Sequence, residues 1–234
     1  MKKAWIITAL IWVITAFAMT MLPDEIPLHY NFEGEIDRWG SKYESFLFPA
    51  IAALSAAIFY FVMRSIEKKG SKAEPDSREA AEARANMKVL GIIATCTQLF
   101  FTVMQCFILY DAYRNAAAEN TAAAPGTGIG TAMIVMMGVL FLILGNMMPK
   151  AKMNRAAGVR LKWSMYNDNT WRKSNRFGGI VLMLTGAAII LTALLANFSA
   201  ALILLLVLSV MSGVVVTLYS YKVYREELNA AKTS

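Results

Sequence analysis

The only histidine of the chain, His29, stands in a segment reading Leu22-Pro-Asp-Glu-Ile-Pro-Leu-His29-Tyr-Asn31-Phe-Glu-Gly34-Glu-Ile-Asp37-Arg-Trp-Gly40-Ser-Lys42. Its imidazole, the Asn31 amide and the Asp37 carboxylate are types that converge on an ion or a ligand head group, with Gly34 and Lys42 in the same sensing loop. Zinc sites generally need three or four good ligands, so one histidine among scattered carboxylates predicts no metal centre. No Ser or Cys nucleophile with a clear base accompanies it. Two prolines hold the chain extended, and Gly34 and Gly40 permit turns. The leading reading is an ordered, membrane-facing cap held by its own hydrogen bonds; ligand binding comes next and catalysis by His29 last.

A second constellation is a polar stripe. Gly91, Thr95, Gln98, Thr102 and Gln105 follow each other at spacings of four, three, four and three, which puts them on one helical face. Glutamines are costly against lipid, so the face is expected to point into a bundle and hydrogen-bond across helices. The sharper reading makes it part of a polar cavity for a ligand or ion.

The third runs through Gly145-Asn146-Met-Met-Pro149-Lys150-Ala-Lys152-Met-Asn154-Arg-Ala-Ala-Gly158-Val-Arg160-Leu-Lys-Trp163-Ser164 and resumes at Trp171-Arg172-Lys173-Ser174-Asn175-Arg176-Phe177-Gly178-Gly179. Two tryptophans amid eight basic residues suit the interfacial zone of a membrane and its anionic head groups. A surface anchor is the plain expectation; a docking site for a cytoplasmic partner is the sharper one.

The elements that must carry these residues are apolar. Hydrophobic residues make up 57% of the 234 and charged ones 17%, an imbalance that excludes an ordinary soluble domain. Six runs are long enough to cross a bilayer core of ~30 Å with some tilt: Ala4 to Leu22, Phe46 to Met63, Val89 to Tyr110, Ile129 to Met148, Phe177 to Ala196, and Phe198 to about Tyr221. The last two nearly touch at Asn197, a tight hairpin with Asn197 and Ser199 at its turn. The termini and the segments 64–88 and 150–176 hold 20 of the 23 Lys and Arg; the alternate loops hold Arg38, Lys42 and Arg114. The positive-inside rule therefore predicts cytoplasmic termini and an even number of spans. The fold class expected is an all-α membrane protein, a bundle of six transmembrane helices.

The parts are a first helix pair over 1–66 with an outer loop at 23–45, a cytoplasmic loop at 67–88, a second pair over 89–148, the basic segment 149–176, and a third pair with its tail over 177–234. Asp76 with Glu79 reads as a capping-box start for a charged helix that runs into the third span. The loop from Tyr113 to Gly128, with Pro125 and Gly126, carries no chemistry. A rival reading takes Lys2, Lys3 and Ala16-Phe17-Ala18 as a signal peptide, but the apolar run continues through Leu22. Cys96 and Cys106, ten residues apart on one helix, cannot pair with each other and are expected to be small buried packing residues. Gly138 with Gly145, and Ser209, Gly213 and Thr217, are expected to let helix backbones approach and pack. The net charge of +7 follows the span flanks, which argues against a direct nucleic-acid partner. The absence of central charges in the spans argues against a proton pump.

Two of these segments carry a resemblance. The outer loop resembles an uncharacterised domain of bacterial membrane proteins through Leu22-Pro23, Ile26-Pro27, His29, Asn31, Gly34, Asp37 and Gly40-Ser41-Lys42. The inner segment is similar to the signature of the SdpI family through Gly145-Asn146, Pro149-Lys150, Asn154, Gly158, Arg160, Trp163, Trp171 and Arg176-Phe177-Gly178. Leu161-Lys162 replaces the family's Thr-Pro, and Ser174-Asn175 its Thr-His. The resemblance implies a non-enzymatic protein of the bacterial plasma membrane, without cofactor or metal. It further implies immunity to a secreted peptide toxin and, inside, capture of a small transcriptional repressor. Two alternatives stay open: a small-molecule or lipid transporter using Gln98, Thr102 and Gln105, and a membrane enzyme using His29 and Asp37.

Overall fold

The first helix, α1, covers Lys2–Ala18 and runs on in tight turns to Leu22. A computed structural model describes residues 1–31, 36–117, 129–154 and 157–233. Gly34 and the loop residues 118–128 lie outside the described residues.

After α1 the chain forms β1 (Glu25–Tyr30) and β2 (Ile36–Ser41), an antiparallel pair in which Ile26 faces Gly40 and Pro27 faces Trp39. The sequence predicted a hydrogen-bonded cap and no strand; the structure is the expected helical membrane protein with this one short hairpin added. Its local cause is visible: Pro23 and Pro27 forbid helix, and the irregular register after Pro27 accommodates a residue without an N–H. A 3₁₀ turn over Lys42–Phe46 then leads into α2 (Leu47–Gly70).

Four helices follow: α3 (Arg78–Ala117), α4 (Ile129–Met147), α5 (Asp168–Leu195) and α6 (Phe198–Thr233). The expected charged extension of the third span is the first part of the 40-residue α3. Its cap is Ser77 and not Asp76: Ser77 Oγ accepts from the Ala80 N–H at 3.2 Å. Asn197 does the same for α6, accepting from the Ala200 N–H at 2.9 Å, which is why α5 and α6 are joined so tightly. Ser199 belongs to α6 itself.

Five helices, α2 to α6, are long and apolar enough to cross a membrane. In α6 the most apolar window has a mean hydropathy of 2.7 with only 6% of it buried, a surface that water would drive into association and lipid would solvate. The protein is a multi-pass helical membrane protein. The expected sixth span is the short one: α1 has 17 residues, about 26 Å by helical rise, before its terminal turns.

The chain divides into two units. One comprises Met1–Tyr60, Ala94–Met137 and Ile189–Leu204, and holds α1, the hairpin and the second part of α3. Its small core of Leu22, Ile26, Leu109 and Ala112 seats the hairpin on the ends of α1 and α3. The other comprises Phe61–Ile93, Gly138–Ala188 and Leu205–Ser234, and holds the basic segment. Here α4 and α5 cross at Gly145 and Gly179. A Cβ on Gly145 would lie 2.6 Å from the Gly179 carbonyl oxygen, so neither position has room for a side chain. The small-residue face expected on α6 does not pack this way, since space around Gly213 is open. Nor are both cysteines buried: Cys96 is half-buried and Cys106 exposed, because ten residues turn a helix to a different face.

Candidate functional site

In the hairpin, β1 and β2 bring His29 and Asp37 together, Nδ1 to Oδ1 at 2.6 Å, with side chains 65% and 42% exposed. Asn31 follows β1 directly. Lys42 does not join them. Its side chain is 14% exposed, and the ammonium donates to the Leu22 carbonyl at 3.2 Å and pairs with Asp24 at 3.1 Å, tying the hairpin's exit to the end of α1. Arg38 is taken by Glu44 at 2.7 Å.

A contact that sequence reasoning missed anchors this hairpin. Tyr30 donates its hydroxyl hydrogen to Asp111 on α3, and Asn115 Nδ2 donates to the same carboxylate at 3.0 Å. Burial first, and then the Asp111 carboxylate, raise the Tyr30 phenol well above its ordinary value, so the phenol stays a donor. The one available signal was a lone acid at the end of an apolar run.

The polar stripe forms two rungs in the same unit. Gln98 Oε1 accepts from Thr8 Oγ1 at 3.0 Å and its Nε2 donates to Ser55 Oγ at 2.8 Å. Gln105 Nε2 donates to Thr15 Oγ1 at 3.0 Å and to the Ser45 carbonyl at 3.1 Å. Thr8 and Thr15 are seven apart, as are Gln98 and Gln105, so α1 and α3 run parallel with matching turns. Both glutamines are at most 1% exposed. Thr102 bonds the Gln98 carbonyl of its own helix at 2.9 Å, and Thr95 is half-buried one turn away. The glutamines thus spend their amides on joining α1, α2 and α3. Thr8, Thr15, Ser45 and Ser55 were not singled out in the sequence.

The basic segment is a folded knot. Lys150 Nζ donates to Asn146 Oδ1 at 3.2 Å across the 3₁₀ turn that contains Pro149. Asn154 accepts from the Ala157 N–H at 2.8 Å and donates to the Lys152 carbonyl at 2.6 Å, closing a turn. Trp171 is 4% exposed and its indole N–H donates to the Ala151 carbonyl at 2.9 Å. Trp163 packs edge-on against Tyr221, ring centroids 5.6 Å apart, and its buried indole N–H has no acceptor among the described residues. Arg160 and Arg176 are exposed.

The organiser of this knot is Asn175, one of the pair Ser174-Asn175 at which the chain departs from the resemblance noted in its sequence. Asn175 is 1% exposed; it accepts from the Val159 N–H at 2.8 Å and donates to the Trp171 carbonyl at 3.0 Å. Gly158 lies against its amide oxygen with φ of 108°, a backbone that side chains rarely adopt. The other departure, Ser174, bonds Ser220 on α6 at 2.9 Å. Asn167 and Thr170 cap α5 reciprocally, each side chain accepting from the other's N–H at 2.8 and 3.0 Å. Glu227 of α6 accepts from Asn167 at 3.2 Å and also from Asn169. A cleft of about 640 Å³ opens beside the knot, lined by Pro149, Lys150, Lys152 and Trp171 with Arg78, Asp168 and others.

The SdpI/YfhL protein family matches residues 150–220, and a domain of unknown function (DUF1648) matches residues 6–53. The chain is similar to "Immunity protein SdpI" of Bacillus subtilis, at 25% identity over 232 residues, 97% of this chain and 96% of that protein. An "Uncharacterized protein" of Archaeoglobus fulgidus is 32% identical over 56 residues, 24% of this chain and 31% of that protein. No solved structure matches the chain. With both motif segments matched in order and similarity over nearly the whole length, this multi-pass membrane protein belongs to the SdpI family.

Proposed function

We propose that the protein confers immunity to a secreted peptide toxin. One observation carries this: similarity over 97% of the chain to a protein named for immunity. In this reading the chain crosses the bacterial plasma membrane six times, with both termini and the basic segment in the cytoplasm and the hairpin outside, as the distribution of Lys and Arg predicts. The hairpin senses the peptide through the exposed His29–Asp37 pair. The segment from Pro149 to Arg176 docks a small cytoplasmic repressor and relays the signal without enzymatic chemistry. Such a relay requires the two faces to share states whose balance the peptide shifts.

The test is survival. A sensitive host expressing the full chain is challenged with secreted peptides from producer strains, beside a host carrying an empty vector. Protection by the chain, lost in His29→Ala with Asp37→Ala at unchanged membrane abundance, supports the reading. Equal killing with and without the protein overturns it.

A further inference from the structure

We infer that the cleft beside Trp171 is a phosphate site occupied by the head group of an anionic phospholipid. The cleft lies between the start of α3, the turn after α4 and the first two turns of α5, and its volume of about 640 Å³ suits a small ligand. Its wall carries four cations, Arg78, Lys150, Lys152 and Arg172, against two carboxylates, Glu82 and Asp168. Both carboxylates are already engaged by Arg78, at 2.8 Å for Glu82 and in closer contact for Asp168. The other three cations meet no carboxylate among the described residues: Lys150 bonds the Asn146 amide, Arg172 the Asn169 amide, and Lys152 has no side-chain partner there. The backbone between the lysines is fixed, since Ala151 is buried and its carbonyl accepts from the Trp171 indole. The lysines are therefore presented on a rigid turn, which lowers the entropy lost on capturing an anion.

Depth names the source of the phosphate. Lys150 follows the apolar part of α4 directly. Arg172 precedes Phe177, where the apolar part of α5 begins, by five residues, about 8 Å of helix. The head-group layer on each side of the hydrocarbon core is about 5–8 Å deep. These cations thus stand at the level of lipid phosphates. An excess of positive charge attracts a head group carrying net negative charge and repels the ammonium of a choline lipid. This site is independent of toxin recognition, and its test does not involve immunity.

The full chain is placed in nanodiscs of phosphatidylcholine with phosphatidylglycerol added in steps, and lipids retained on ejection are counted by native mass spectrometry. The same protein in phosphatidylcholine alone is titrated with inorganic phosphate. Wild type and a Lys162→Gln control outside the cleft are expected to retain phosphatidylglycerol. Lys150→Gln/Lys152→Gln/Arg172→Gln is expected to lose about tenfold or more in retention, the scale of charge-assisted hydrogen bonds. Lys150→Arg/Lys152→Arg, which keeps charge and fold, is expected to retain it. Equal retention by the glutamine variant and wild type overturns the site. Tight binding of inorganic phosphate without retention of phosphatidylglycerol, or equal retention of phosphatidylcholine, overturns the lipid assignment.

Discussion

Replacing Gln98 or Gln105 by Leu removes two side-chain hydrogen bonds in either case, at positions equally buried on the same helix. The two variants are expected to reach a similar cost by different routes. Deleting Gln98 orphans nothing, because Thr8 Oγ1 also bonds the Ala4 carbonyl and Ser55 Oγ the Ala52 carbonyl. Interhelical hydrogen bonds in membranes average about 0.6 kcal/mol, so Gln98→Leu costs about 1 kcal/mol. Deleting Gln105 also loses two bonds, and Thr15 Oγ1 keeps the Ile11 carbonyl. The Ser45 carbonyl, however, loses its Gln105 donor, and Pro49, four residues on, has no N–H to take its place, a cost of about 1–3 kcal/mol. Gln105 Oε1 is itself buried without a donor among the described residues, and its removal relieves a similar amount. Gln105→Leu is therefore expected to cost about as much as Gln98→Leu, about 1 kcal/mol. Reversible denaturant unfolding in mixed micelles, followed by helical circular dichroism, compares the two. A Gln105→Leu variant more stable than wild type refutes the reasoning, since the Ser45 carbonyl would then have kept a donor.

The inner knot and the hairpin give two further expectations. Asn175→Ala strips the Val159 N–H of its acceptor and takes a second donor from the Trp171 carbonyl, costing about 1–3 kcal/mol, and Gly158→Ala is at least as damaging because its methyl would meet the Asn175 amide; thermal unfolding compares both with wild type. Tyr30→Phe removes a hydrogen bond to a carboxylate, about 1.5 kcal/mol, and leaves the hairpin held to α3 by its apolar core alone. Because the folded state raises the Tyr30 phenol above its ordinary value of 10.0, the stabilisation from this bond is complete below about pH 10, declines above it, and is lost as pH rises through the raised folded value. In protein labelled with fluorotryptophan, the ¹⁹F resonance of half-exposed Trp39 in β2, assigned by its loss in Trp39→Phe, follows the hairpin, and its alkaline change should be absent in Tyr30→Phe.

What could be read from the sequence follows from how far each signal reaches along the chain. A lipid-crossing helix is a local energetic fact, so the runs behind α2 to α6 and the charged start of α3 were visible as stretches of residue type. The Gln98–Gln105 face was visible for the same reason, through its spacing alone. The partners of those glutamines were not, because a hydroxyl in a helix satisfies itself on its own backbone, as Thr8 and Thr15 do, and so leaves no mark in the pattern. The hairpin was half legible: prolines announce extended chain, while pairing Ile26 with Gly40 depends on a turn and a distant floor of Leu109 and Ala112. The importance of Asn175 was hidden altogether. It is seen only once Gly158 adopts its positive φ and brings the chain back onto α5.

The residues that carry the family resemblance fall into two kinds, and the division bears on the proposed relay. Asn154, Gly158 and Trp171 are consumed in closing the inner knot, as Lys42 is in closing the hairpin. A partner cannot read them without unfolding what it docks on. Arg160 and Arg176 stand exposed on the inner segment, and His29 with Asp37 on the outer one. Recognition is therefore expected to be a matter of these surface groups, whose exchange costs the knot and the hairpin less than a change at the buried ones. Changes at the first kind act through the fold, so a loss of immunity at Gly158 or Trp171 says nothing about a partner. A loss at Arg160 or Arg176, with Trp171 still held against Ala151, speaks directly to docking.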